Sequence, residues 1–161
     1  SVSSIGSGAF DNCTNLTSVT IGSTVTNIGD HGFSRCSSLM SLYFRGNAPS
    51  VDSSAFSGDN NATVYYLPGT TNWVSTLAYR PTVLWNPQAQ TSDASFGVQT
   101  NRFGFTITGT PNIPFVVEST TNLSFTTWFS MRTNTLTDGS YYFSDPRWTN
   151  FVRRFYRIRS P

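Results

Sequence analysis

A chain of 161 residues has room for one domain of ordinary size or two small ones, and its character changes near residue 88. Only 11% of its residues are charged, all ten basic residues are arginine, and a net charge of +2 provides no broad field to gather a polyanion, so nucleic acid is excluded as the expected partner. No apolar run approaches the ~18 residues of a membrane span, and no basic-then-apolar leader or initiator Met opens the chain, so a processed product or a fragment is expected.

The first predicted elements are repeats. Phe10, Phe33 and Phe56 recur at intervals of 23 residues, and their neighbours recur in step. Ile5 returns as Ile28 and Val51, Ala9 as Gly32 and Ala55, Cys13 as Cys36, and Leu16 as Leu39. Val19 returns as Leu42 and Tyr65, and Ile21 as Phe44 and Leu67. Self-similarity at this period is the signature of a solenoid. The pattern I-G-x-x-A/G-F-x-x-C-x-x-L-x-x-V/L-x-I/F predicts coils over 2–24, 25–47 and 48–69, each with a tight helical turn before a short strand. Strands over 16–21, 39–44 and 63–67 are expected to form one parallel ladder, with Thr20, Tyr43 and Tyr66 as its exposed column.

These motifs resemble the BspA-like leucine-rich repeat family of bacterial surface proteins. The resemblance covers residues 2–85 and implies a repeat scaffold, an extracellular or cell-surface address and no particular activity. In this repeat class the cysteine column resembles a ladder of buried thiols. The ~4.8 Å spacing of adjacent coils also brings the α-carbons of Cys13 and Cys36 into disulfide range, and both states are open to the sequence.

The third coil reads as terminal, since Asp59 replaces the repeat cysteine beside the turn-forming Gly58, Asn60 and Asn61. Trp73, Val83, Leu84 and Trp85 are expected to cover its open end, completing a first domain over 1–87. The other end is expected to lack a cap. Residues 88–95 are polar and aperiodic and read as a linker.

From 96 to 161, strands are predicted at 96–99, 102–108, 113–120, 126–132, 140–143 and 151–158, with turns at 109–111, 121–122, 138–139 and 145–146. The fold class is therefore mainly β: a short leucine-rich solenoid followed by a small antiparallel β-sandwich. The run F-x-F/V-x-V-E-S-T-x-N-L, a Trp, F-S-D-P and R-F-Y-R-I resembles C-terminal modules that follow such repeats in secreted bacterial proteins.

Catalytic groups are sparse. The single His31 follows Asp30 on a variable outer turn, the repeat register turns both cysteines inward, and Glu118 and Asp145 are the one carboxylate pair suited to glycosidic acid–base chemistry, with Arg102, Arg132 or Arg147 as competing partners. Asp59, Asn60 and Asn61 lack the spaced carboxylates of a calcium loop. No catalytic residue, cofactor or metal is therefore expected. Four N-x-S/T sequons, at Asn12, Asn15, Asn61 and Asn122, follow from composition.

Interaction surfaces are the better candidates. On the strand face these are Tyr43, Arg45 and Tyr66; in the last segment they are Arg147, Arg153, Arg154, Arg157 and Arg159, interleaved with Trp148, Phe151, Phe155 and Tyr156. Alternation puts Arg153, Phe155, Arg157 and Arg159 on one face and Arg154, Tyr156 and Ile158 on the other, and a solvated, charge-protected edge strand is the competing reading. The expected function is a non-enzymatic extracellular structural protein that assembles head to tail with itself through the open coil and the β-module. Its alternative is a recognition module of a longer adhesin, with protein or carbohydrate ligands.

Overall fold

The computed structural model of the chain describes residues 1–124 and 127–161, and these divide into two compact units, 1–85 and 86–161. The described residues contain no α-helix.

In the first unit the 23-residue period produces two parallel ladders. Strands β1 (Ser4–Ile5), β3 (Asn27–Ile28) and β5 (Ser50–Val51) form one. Strands β2 (Ser18–Ile21), β4 (Ser41–Phe44) and β6 (Thr63–Tyr66) form the other. The sequence pattern anticipates the second ladder and misses the first, because two-residue strands carry no alternation to read. Between the ladders the chain turns on i to i−3 hydrogen bonds such as Ala9 N–H to Gly6 O at 3.3 Å and Cys36 N–H to Phe33 O at 3.3 Å. These are tight turns that never propagate into a helix.

Inward residues of both ladders and the turn phenylalanines make one core, in which Ile28, Phe33, Leu39, Leu42 and Val64 are fully buried. Rings of Phe10, Phe33 and Phe56 stack in a column at 5.0 and 5.8 Å. Coil spacing is enforced by backbone proximity: a Cβ on Gly46 would lie 2.7 Å from the Ser23 carbonyl oxygen, so a side chain there would push two coils apart.

The third coil corrects the predicted register. Its strand pairs Leu42 with Val64, Tyr43 with Tyr65 and Phe44 with Tyr66. The coil is one residue short between Ala62, which takes the leucine position, and the strand. The outer column is therefore Thr20, Tyr43 and Tyr65, and Tyr66 falls in the inner column of Ile21 and Phe44. Tyr66 stacks on Trp73 at 4.9 Å, and Phe44 meets the same ring edge-on at 5.2 Å.

The expected cap takes a specific form. Strand β8 (Arg80–Leu84) adds in parallel to β6, and β7 (Thr76–Leu77) folds back antiparallel onto β8, so a hairpin closes the strand ladder. Trp73 and Leu77 pack against the coil core beneath it.

The second unit begins at Asn86, and the linker reading of 88–95 is corrected: β9 (Gln88–Ala89) pairs with Ile107 and Thr108 of β11 (Arg102–Thr108). Strand β10 (Gly97–Gln99) pairs on the same strand, and β14 (Ser140–Asp145) pairs with β11 along six residues. The other sheet is β13–β12–β15, made of β12 (Ile113–Thr120), β13 (Phe129–Leu136) and β15 (Phe155–Arg159). The predicted start of the fourth strand, Thr126, lies outside the described residues, and β13 runs further toward the C-terminus than expected. All these pairings are antiparallel, and the buried faces meet through rings, with Tyr156 against Phe103 at 5.2 Å and Phe143 at 5.8 Å, and Phe115 against Tyr141 at 5.3 Å. The one 3₁₀ turn described is Trp148–Asn150.

Candidate interaction surfaces

The strand-face candidates separate. Tyr43 is only 5% exposed and its ring stacks on Tyr65 at 5.1 Å; burial pushes its phenol up to about 12. Tyr43 is thus a packed residue, and Tyr66 is half-buried beneath Trp73. Of the three, Arg45 alone is exposed.

The arginine segment separates too, and the unresolved question of its buried face is settled. Tyr156 and Arg154 face inward. Tyr156 donates its hydroxyl to the fully buried Asp145 at 2.8 Å, and Arg154 lies 2.9 Å from the same carboxylate. Arg154 also donates to Ser119 Oγ at 3.1 Å. Burial, then the Asp145 hydrogen bond, raises the Tyr156 phenol. On the outward face Arg157 and Arg159 both pair with Glu118, at 2.8 and 2.6 Å, and Arg157 stacks over Trp128 at 4.3 Å. The Arg157 and Arg159 hydrogen bonds hold the Glu118 carboxyl below its usual range against the opposing effect of its burial, which is the largest single influence. Three of the five arginines are therefore internal clamps. Arg147 and Arg153 are exposed, and the Arg147 backbone N–H donates to Asp145 at 2.9 Å.

This arrangement dissolves the carboxylate pair. Glu118, on β12, is held by Arg157 and Arg159 on one face of the β12–β15 pairing, whereas Asp145, on β14, is held by Tyr156 and Arg154 on the other, so neither is positioned to exchange a proton with the other. His31 shares its Nδ1 with Asp30 and lies 3.3 Å from Ser54 Oγ on an exposed turn, away from a thiol. Both cysteines are free. Cys36 is buried, and desolvation raises its thiol to about 11, which leaves it inert. Cys13 departs from the expected buried ladder: it is exposed. Among the described residues no group of three His, Cys, Asp or Glu side chains could hold a metal ion, and no helix is long and apolar enough to cross a membrane.

An apolar hollow lies on the side of the first coil that faces away from the second. This hollow of about 460 Å³ is lined by Val2, Ile5, Phe10, Val19, Ile21 and Phe33, and the Phe10 ring at the end of its stack is 40% exposed. The backbone there has a definite polarity. In the turns, N–H groups of one coil donate to carbonyls of the next: Gly8 to Asp30, Phe10 to Gly32 and Asn12 to Ser34, then Phe33 to Ala55 and Arg35 to Ser57. Consequently Ser7, Ala9 and Asp11 of the first coil offer carbonyls that accept no backbone hydrogen bond among the described residues. At the other end of this column the equivalent Phe56 and Gly58 N–H groups donate to no backbone carbonyl among those residues. One end of the turn column is an acceptor edge and the other a donor edge. Sequence could have found neither, since both depend on the direction in which the backbone lies.

A family model described as BspA type leucine-rich repeat region matches residues 1–97 with six copies. Comparison with curated proteins and with solved structures finds no match.

Proposed function

The chain belongs to the BspA-type leucine-rich repeat family, and from that premise we propose a non-enzymatic, extracellular surface protein that joins to copies of itself through the open end of its coil. Membership of a repeat family built for interaction supports the surface or adhesion role. Self-assembly is supported by a single observation: among the described residues the turn column presents carbonyls that accept no backbone hydrogen bond at one end and N–H groups that donate none at the other. Two acceptor edges brought together would leave their carbonyls unmatched, so the favoured contact is heterologous, the first coil of one copy against a donor edge of the next. Contacts of that kind propagate rather than close. Apolar cover of Phe10 supplies the affinity and the backbone bonds supply the register.

The test is the mass of the full chain by light scattering, compared with Phe10→Asp. Wild-type chain should form species well above 17.8 kDa that grow with concentration, and the variant, which puts a charge into the hollow, should stay at 17.8 kDa. A wild-type monomer at every concentration sinks the self-assembly and leaves the adhesin module.

A further inference from the structure

Along one side of the β-module an open strand edge lies beside an apolar slot. Strand β15 is last in its sheet and pairs only with β12, while β9 and β10 are outermost in the facing sheet, where both pair with β11. An antiparallel strand bonded on one side turns every second N–H and C=O away from its neighbour. Strand β15 therefore presents a row of backbone groups that no other strand among the described residues uses.

Between β15 and β9 lies a hollow of about 490 Å³, lined by Ala89, Phe103, Phe105, Tyr156 and Ile158. Phe103 stacks on Tyr156 at 5.2 Å and meets Phe96 edge-on at 5.6 Å, so aromatic rings form its base. Phe155, Tyr156, Arg157 and Ile158 border it in unbroken succession. Side chains alternate between the two faces of a strand, so a space beneath one face would be bordered by every second residue. Four in succession mean that the space runs along the edge of β15, within reach of its main chain. A second hollow, of about 240 Å³, shares Phe103, Arg154 and Tyr156 with the first and carries the apolar lining on to Phe151 and Val152.

Charge identifies what this edge would accept. On the outward face Arg157 and Arg159 share one carboxylate, that of Glu118, and Arg153 has no ion pair among the described residues, so the face carries an excess of positive charge. A strand laid beside β15 would set alternate side chains over Phe103 and Tyr156 and the others next to these arginines. Cross-strand neighbours of opposite charge stabilise a pair and like charges oppose it. We propose that the β15 edge accepts, by strand addition, an extended segment of another protein in which apolar and acidic residues alternate. Backbone hydrogen bonds would hold the segment, the slot would take its apolar side chains, and the arginines would select its acids. This surface is independent of the open coil.

Calorimetry on the full chain tests it, with short peptides in which Glu alternates with Val, Leu or Phe as probes. At least one should bind saturably and slow amide hydrogen exchange across 155–159. Of two twins of that peptide, N-methylated at alternate residues along one edge or the other, one should bind about tenfold or more weaker and the other should keep its affinity, because only one edge faces β15. The glutamine twin should also weaken. Ala89→Trp, at an exposed position of β9 that lines the slot, should reduce binding about tenfold or more, whereas Val74→Trp, exposed in the first unit, should leave it unchanged. Binding of none of the acidic peptides, equal binding of the two N-methylated twins, equal binding of the glutamine twin, or equal binding by Ala89→Trp would each overturn the assignment.

Discussion

Asp59 shows how one residue can mark a position and cost stability there. It occupies the column of the repeat cysteine, where a small apolar group belongs, and is 1% exposed with neither carboxylate oxygen hydrogen-bonded at normal geometry. Burial pushes its carboxyl up to about 6 from 3.8, against smaller opposing pulls from the Cys36 backbone and Arg80. A native pKa above the unfolded one means that the folded state is favoured by this group below about pH 4, and that the advantage is lost as pH rises through about 6. Asp59→Asn is expected to raise stability by about 1–3 kcal/mol near pH 7.5 and to flatten the difference from pH 4, read by thermal melting. Glu118 has the opposite sign. Its lowered carboxyl stabilises the fold above the unfolded value of 4.5 and loses that contribution as pH falls. Glu118→Gln should destabilise by about 1–3 kcal/mol at neutral pH in chemical denaturation, a figure reduced from a fully buried pair because Arg157 and Arg159 are half exposed. The sequence made the arginines of the last strand legible as a cluster but not as clamps. Alternation divides them into two faces, and only the position of Asp145 and Glu118 decides which side each arginine serves.

At the level of the element, repetition made the coils readable and deletion made them misleading. Phe10, Phe33 and Phe56 keep strict intervals, and the first two strands fall in the predicted columns. The third strand slips by one because the missing residue lies after Ala62, beyond the last landmark that the period holds in place, and a slip of one exchanges the inner and outer columns. For that reason Tyr66 falls in the inner column and not in the outer one that the period predicts. In the β-module, β11 and β12 coincide with their predicted spans, since alternating runs bounded by turns identify themselves, whereas two-residue β9 hid within a polar stretch. The phenylalanine column offers a test of where the coil is closed. Phe33 is fully buried between two rings, so Phe33→Ala should cost about 3–5 kcal/mol, whereas Phe10→Ala in the dispersed chain should cost less than half of that because its ring is 40% exposed. Equal losses in urea titrations would mean that the first coil is as enclosed as the second.

For the whole molecule, the decisive property is directional. A strand hairpin, β7–β8, closes the ladder beside the third coil, while in the first coil Phe10 is 40% exposed and the Ser7, Ala9 and Asp11 carbonyls accept no backbone hydrogen bond among the described residues. The Arg157 and Arg159 side chains on the last strand oppose pairing of that edge with itself, because two copies would set like charges face to face. Both features favour a contact between unlike surfaces. Electron microscopy of the untagged chain over a range of concentrations tests this most directly. The account predicts filaments or open oligomers with one 17.8 kDa subunit per axial step, all facing the same way, and their loss in Phe10→Asp. A closed two-fold dimer, with first coil against first coil, or a field of dispersed monomers at the highest concentration would contradict it.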